Sequence, residues 1–291
     1  AKDMGRNQVH VHGDNDNHVK KMQKELSWVA DINKAENEKH FSLYLQPIKS
    51  LQTDQVLSMY EVLLRINDDK GTLVSPGNYI PAAERFSLMK DVDQWVIKKT
   101  FKKLSKLYKT IPDCNIRLFI KISENSLTNH AFSDFVIKQY KKHNIPHEAV
   151  CLEISEVKAV KNINQTAGII STLHKYNIKF ALDDFGTDVS SFSYLKNLHV
   201  DYLKIDGNII KNISRNTTDK AMVAAINQIG KVMNIETIAK HVEDVFTMNQ
   251  IKDIGIDYAQ GFYMGKPKKV NECIDDLKKS KRQHSVRPGF S

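Results

Sequence analysis

The sequence predicts an α/β fold, a barrel of eight strands alternating with helices. Three observations carry that prediction. Short apolar runs recur along the chain, apolar positions at helical spacing lie between them, and Asn or Gly stands where those helices should end. The length of 291 residues suits such a fold, since α/β barrels commonly use about 250 residues as one unit.

The first two strands are expected over residues 41–48 and 56–66, with a turn at 50–55 short enough for an antiparallel hairpin. Six more are expected over 117–122, 149–154, 178–183, 200–206, 235–239 and 256–260. Between them, Phe132, Val136 and Tyr140 keep helical spacing, as do Ile163, Ala167, Ile170 and Leu173, and Met222, Ile226, Ile229 and Met233. Asn144, Asn177, Asn234 and Gly255 follow as helix ends, because Asn and Gly best tolerate the left-handed cap conformation. Strands separated by helices pair in parallel through right-handed crossovers. An open doubly wound sheet is the competing arrangement. It would normally bring a glycine-rich phosphate loop after its first strand, and neither GxGxxG nor GxxxxGK[ST] is present.

Composition excludes several classes. The chain is 41% hydrophobic, with 12 Gly, 7 Pro and 3 Cys, which rules out collagen, a disulfide scaffold and wholesale disorder. No apolar run approaches the roughly 20 residues of a membrane span, and residues 1–17 are polar, unlike a signal peptide. A cytoplasmic location is expected, with Cys114, Cys151 and Cys273 as plain thiols. The net charge of +9 raises the question of a polyanion partner. Lys278, Lys279, Lys281, Arg282 and Arg287 follow Asp276 with no acid among them, so five of the nine excess charges sit in a C-terminal stretch. The remaining balance is too small to argue for nucleic acid, and none is expected as a partner.

In a parallel barrel the C-terminal strand ends converge on one mouth. Glu61 lies on the second predicted strand, Glu153 and Glu156 end the fourth, Asp183 and Asp184 end the fifth, Lys204 is in the sixth and Gln260 closes the eighth. One acid at a strand end is most simply a cap or a surface charge. Several on successive strands would repel one another unless cations or lysines offset them, so the cluster implies a site for hard metals or phosphate.

The segments Tyr60-Glu61-Val62-Leu63-Leu64-Arg65, Leu152-Glu153-Ile154-Ser155-Glu156, Asp183-Asp184-Phe185-Gly186-Thr187, Leu203-Lys204-Ile205-Asp206 and Ala259-Gln260-Gly261 resemble, in order and spacing, the EAL domains. With Gln46-Pro47-Ile48 and the stretch from Ser75-Pro76 to Pro81, the likeness covers roughly residues 40–270. It implies a TIM-like (β/α)8 barrel with an antiparallel first strand, acting on the bacterial second messenger cyclic di-GMP. In active members two divalent metals, Mg²⁺ or Mn²⁺, activate water to open one phosphodiester and release the linear dinucleotide pGpG. The resemblance implies metal ligands at Glu61, Glu153, Asp183 and Asp184, a catalytic role for Lys204 beside Glu61, and a loop-stabilising Glu156. It implies ligand contacts at Gln46, Arg65, Asp206, Gln260 and Gly261. Residues 1–9 resemble the end of a GGDEF domain. The expected organisation is therefore a GGDEF-like end over 1–14, a connector helix over 15–39, the barrel over 40–277 and a basic tail over 278–291. An upstream GGDEF domain in the same protein, a homodimer, a further protein partner and a membrane-anchored parent chain belong to the same expectation.

Two positions depart from the family. Lys121 stands where active members place a metal-binding Asn, and Lys240 where they place a Glu that contacts the metal centre. Thr187-Asp188-Val189 also replaces the usual loop after the two aspartates. Four carboxylates facing three lysines come close to neutrality with no metal present. The expectation drawn from this balance is a degenerate domain that binds cyclic di-GMP as a receptor with little or no hydrolysis and needs no metal. The alternatives are a surviving Mg²⁺- or Mn²⁺-dependent phosphodiesterase, or a scaffold that binds no nucleotide.

Overall fold

A computed structural model describes residues 41–52, 57–67, 73–74, 76–187 and 192–285. The expected GGDEF-like end, the connector helix, Asp188 and Val189 of the altered loop, and Arg287 at the end of the tail lie outside these residues.

The strands are β1 (Phe41–Ser50), β2 (Ser58–Asn67), β3 (Leu73–Val74), β4 (Ile116–Lys121), β5 (Val150–Ser155), β6 (Lys179–Phe185), β7 (Tyr202–Ile205), β8 (Glu236–Ala239), β9 (Tyr258–Gln260) and β10 (Lys268–Lys269). Strand β2 and strands β4 to β9 run parallel, each beside the next. The sheet closes through β1, which is antiparallel to both β2 and β9. This is the eight-stranded barrel with an inverted first strand that the sequence predicts. Two strands were not predicted. β3 pairs with β2, and β10 with β1, over two residues each. Segments that short carry no period of their own, so their pairing is visible only in the assembled sheet.

Helices surround the barrel because strands such as β4, β5 and β6 bury their outer faces as well as their inner ones. Leu118, Ile120, Leu152, Ile154, Phe180 and Leu182, alternating with the inward positions, are all at most 2% exposed. Burying a side chain of that size contributes roughly 1.5–3 kcal/mol. Asn144, Asn234 and Gly255 cap their helices in the left-handed conformation, and Asn177 adopts it in the turn three residues past the helix Ile163–His174. The last helix, Val270–Ser285, carries Lys278 and Lys279 in its second half.

The barrel interior is layered. Ile48, Met59, Phe119, Cys151, Ala181, Tyr202, Ile238 and Tyr258, one from each barrel strand, form an apolar plug. Phe119 and Tyr202 meet edge to face with centroids 5.1 Å apart. Inward positions recur every second residue, so this plug fixes which side chains form the next layer toward the mouth.

Candidate active site

Two residues beyond the plug, each strand places a polar or charged side chain. Counting in the direction of the mouth gives Gln46 from β1, Glu61 from β2, Lys121 from β4, Glu153 from β5, Asp183 from β6, Lys204 from β7, Lys240 just past β8 and Gln260 from β9. The layer holds three acids, three lysines and two glutamines. With equal numbers of acids and lysines, the layer pairs within itself.

Lys204, fully buried, donates to Glu61 Oε2 at 2.8 Å and to Glu153 Oε1. Gln260 Nε2 donates to the same Glu61 Oε2 at 2.6 Å, and at 3.3 Å to Gln46 Oε1. Lys240 bridges Asp183 Oδ1 at 2.6 Å and Asp184 Oδ1 at 2.5 Å. Lys121 pairs with Asp183 Oδ2 at 2.6 Å and lies 3.8 Å from Glu61 Oε1. The lysines differ in exposure. The side chain of Lys121 is 51% exposed, that of Lys240 10% and that of Lys204 0%.

Burial and charge compete at each group. Burial works to raise the Asp183 carboxyl, but Lys121, Lys204 and Lys240 hold it far below the usual range. Glu61 is likewise held low, against its burial, by Lys204 and Lys121. Glu153 moves the other way, because burial and then the charge of Glu61 outweigh Lys204. Burial alone would lower Lys204, yet Glu153 and Glu61 keep its ammonium charged.

The loop side of the mouth hangs on Glu156, which is fully buried. Its Oε2 accepts from the Gly186 amide at 2.9 Å and its Oε1 from the Tyr194 hydroxyl. It thus ties together the two ends of the segment that follows Asp183 and Asp184. Asp184 itself takes a left-handed φ of 56°, which turns its carboxylate back toward Lys240.

Other expected residues stand further out. Arg65, above Glu61 on β2, lines a cleft of about 510 Å³ together with Glu61, Lys121, Glu153, Asp183 and Asp184. Its guanidinium faces the Tyr44 ring at 5.9 Å. Asp206 caps the helix Gly207–Asn212 by accepting from Asn208 N at 2.8 Å. At Gly261 an added Cβ would fall 2.0 Å from Val242 O, so close backbone approach is what requires glycine there.

Sequence reasoning missed Asp93. It lies on the helix Met89–Thr110, lines the cleft and is 3% exposed. Its Oδ2 accepts from Ser123 N at 2.8 Å, Ser123 Oγ at 2.6 Å and Ser126 Oγ at 2.7 Å. Burial pushes its carboxyl up to about 6 although the two serines pull it down. The one local signal is an acid sitting among the inward-facing Val92, Val96 and Ile97 of that helix.

With the lysines in these positions, no three His, Cys, Asp or Glu side chains among the described residues converge as a metal site. Two oxygens are nevertheless not hydrogen-bonded to any ammonium. Glu153 Oε2 is buried without a partner, and Glu61 Oε1 is beyond hydrogen-bond reach of Lys121. Both are hard carboxylate donors of the kind that Mg²⁺ and Mn²⁺ prefer. The residues therefore fit a divalent cation on the Glu61–Glu153 side of the layer, once the exposed Lys121 head moves aside.

Fold and site together define a closed α/β barrel with an acid-and-lysine layer at the C-terminal mouth. The pattern of the EAL domain family matches residues 29–267, and the chain belongs to that family. It is 39% identical over 92% of its length to the cyclic di-GMP phosphodiesterase PdeB of Shewanella oneidensis, covering 31% of that protein. It is 34% identical over 82% of its length to the cyclic di-GMP phosphodiesterase PdeA of Borreliella burgdorferi, covering 35% of that protein. The chain thus spans about a third of the curated relatives it matches. Among solved structures, the FimX EAL domain of Pseudomonas aeruginosa bound to cyclic di-GMP matches with a TM-score of 0.76 and 26% identity, over 82% of this chain and 96% of that one.

These relatives correct one expectation. A receptor with little or no hydrolysis, inactivated by Lys121 and Lys240, is not what the chain resembles, since PdeB and PdeA, which it matches across most of its length, are cyclic di-GMP phosphodiesterases. The charge balance behind that expectation treated every carboxylate as quenched. The geometry differs: Lys121 is half exposed on a flexible stem, and Glu153 Oε2 is left without an ammonium partner.

Proposed function

We propose that the domain is a divalent-metal-dependent cyclic di-GMP phosphodiesterase that opens one phosphodiester to give linear pGpG. The observation that carries this reading is the unpartnered Glu153 Oε2, buried beside Glu61 and Asp183 at the floor of the cleft. Glu61 and Glu153 would hold Mg²⁺ or Mn²⁺, with Asp183 contributing the oxygen that Lys121 releases and Asp184 staying on Lys240. A divalent cation there supplies acidified water and charge stabilisation at the phosphoryl group.

The chain's own residues do the rest. Lys204, kept charged and fixed by two carboxylates, holds Glu61 and Glu153 in place from beneath the cleft and adds positive charge to the field at the phosphate. Arg65 offers a planar, permanently charged donor to the phosphate from higher in the cleft. Gln46, Asp206 and Gln260 provide hydrogen-bonding groups for the nucleotide, and Gly261 keeps the backbone beside them close-packed. Glu156 holds the loop that bounds the acids. The likeness of residues 1–9 to a GGDEF ending supports an upstream GGDEF domain in the full-length protein, and the same family resemblance supports a homodimer working in the cytoplasm. Among the described residues no helix is long and apolar enough to cross a membrane.

The test is incubation with cyclic di-GMP and Mn²⁺ or Mg²⁺, followed by mass spectrometry. Linear pGpG should form, and both chelation and Asp183→Asn should abolish it. Intact cyclic dinucleotide under every metal condition would sink the proposal.

A further inference from the structure

Resting on that reading, we infer that Lys240 is a built-in cation that closes the Asp183–Asp184 side of the site, so that each chain takes one divalent ion and not two. The three lysines of the polar layer are not equivalent. Lys204 is wholly enclosed between Glu61 and Glu153. Lys240 is nearly as enclosed, and its ammonium sits 2.6 and 2.5 Å from two carboxylate oxygens, the place a metal bridging those aspartates would need. Removing it would strand Asp183 and Asp184 against each other. Lys121 is different. It enters from the end of β4, half its side chain is in solvent, and its four-carbon stem can carry the charge into the cleft.

Charge fixes the count. Glu61, Glu153, Asp183 and Asp184 carry four negative charges when ionised, and Lys204 and Lys240 offset two. One divalent ion in exchange for Lys121 brings the site to neutrality. A second would leave it two charges positive in a layer where Glu61, Glu153 and Asp183 are each at most 3% exposed, and uncompensated charge is heavily penalised there. The open oxygens agree with this arithmetic, because Glu153 Oε2 and Glu61 Oε1 belong to the two acids that Lys240 does not pair with.

The experiment counts metal directly on the whole chain. Metal-free protein is dialysed against Mn²⁺, bound manganese is measured per chain, and electron paramagnetic resonance reports whether the ions are isolated or spin-coupled. Wild type should bind one Mn²⁺ per chain with an isolated-ion spectrum. Lys240→Glu should bind two with a coupled spectrum, and Lys121→Met should still bind one, at least about tenfold more tightly. Two ions or none in wild type overturns the inference whether or not the variants fold, and so does a folded Lys240→Glu that stays at one. Parallel assay of pGpG separates the claims. Turnover with two bound ions removes this inference and leaves the phosphodiesterase reading, whereas one bound ion without turnover does the reverse.

Discussion

Glu156 Oε2 accepts the amide of Gly186 at 2.9 Å, fastening the residue that leads out of the Asp183-Asp184 pair to the start of the helix Glu156–Lys161. The same carboxylate takes the Tyr194 hydroxyl through its other oxygen. One buried acid therefore fastens both Gly186 and Tyr194, on either side of the segment that follows the two aspartates. Glu156→Ala leaves the Gly186 amide and the Tyr194 hydroxyl without that partner. It should lower stability by about 1–3 kcal/mol and lower the rate of pGpG formation by about 100-fold through misplaced acids. Thermal unfolding and turnover measured on one preparation check both, and unchanged turnover would show that fastening Gly186 and Tyr194 does not matter to the site.

Lys204 is the most deeply buried charge in the layer. Lys204→Met preserves length and removes the ammonium between Glu61 and Glu153. Two buried carboxylates left facing each other should destabilise the domain by about 3–5 kcal/mol. Urea unfolding at neutral pH measures it. A loss under about 1 kcal/mol would mean that water already reaches this layer.

Asp93 makes stability depend on pH. Its carboxyl is raised from its ordinary range to about 6 in the folded protein, so the folded state binds this proton more tightly than the unfolded chain does. The contribution is fully present below about pH 4 and is lost as pH rises through about 6, amounting to about 3 kcal/mol. Asp93→Asn cannot titrate and keeps an oxygen to accept from Ser123 and Ser126. The difference in unfolding free energy between wild type and Asp93→Asn should therefore shift by that amount between pH 4 and pH 7.5. A difference that stays flat across the range contradicts the burial argument.

Gly261→Ala should be among the most damaging small substitutions in the domain. Its Cβ would meet Val242 O at 2.0 Å and Val242 N at 2.3 Å, and backbone cannot swing aside as a side chain can. A loss of about 3 kcal/mol or more is expected. Circular dichroism melting tests it, and a melting point close to that of wild type would require the two segments to separate without penalty.

Much of the fold was legible because its determinants are local. The barrel strands are apolar runs long enough to display themselves, and the caps at Asn144, Asn234 and Gly255, like the left-handed turn at Asn177, follow from the steric freedom of single residues. β3 and β10 were not legible, since two residues pair only where a neighbouring strand is already in place. Asp93 escaped for a similar reason: its partners Ser123 and Ser126 are 30 and 33 residues away.

The sequence by itself determined the barrel and, through the spacing of its apolar runs, placed Glu61, Glu153, Asp183, Lys204 and Gln260 at one mouth, with Gln46, Lys121 and Lys240 added by the family pattern. Their pairing was decided only in three dimensions. Counting charges makes Lys121 and Lys240 alike, one cation each against a shared set of acids. The closed sheet separates them, burying Lys240 between Asp183 and Asp184 while leaving Lys121 half in solvent and Glu153 Oε2 without a partner. Alternation is a property of one strand, whereas the meeting of an ammonium with a carboxylate depends on the register and closure of eight.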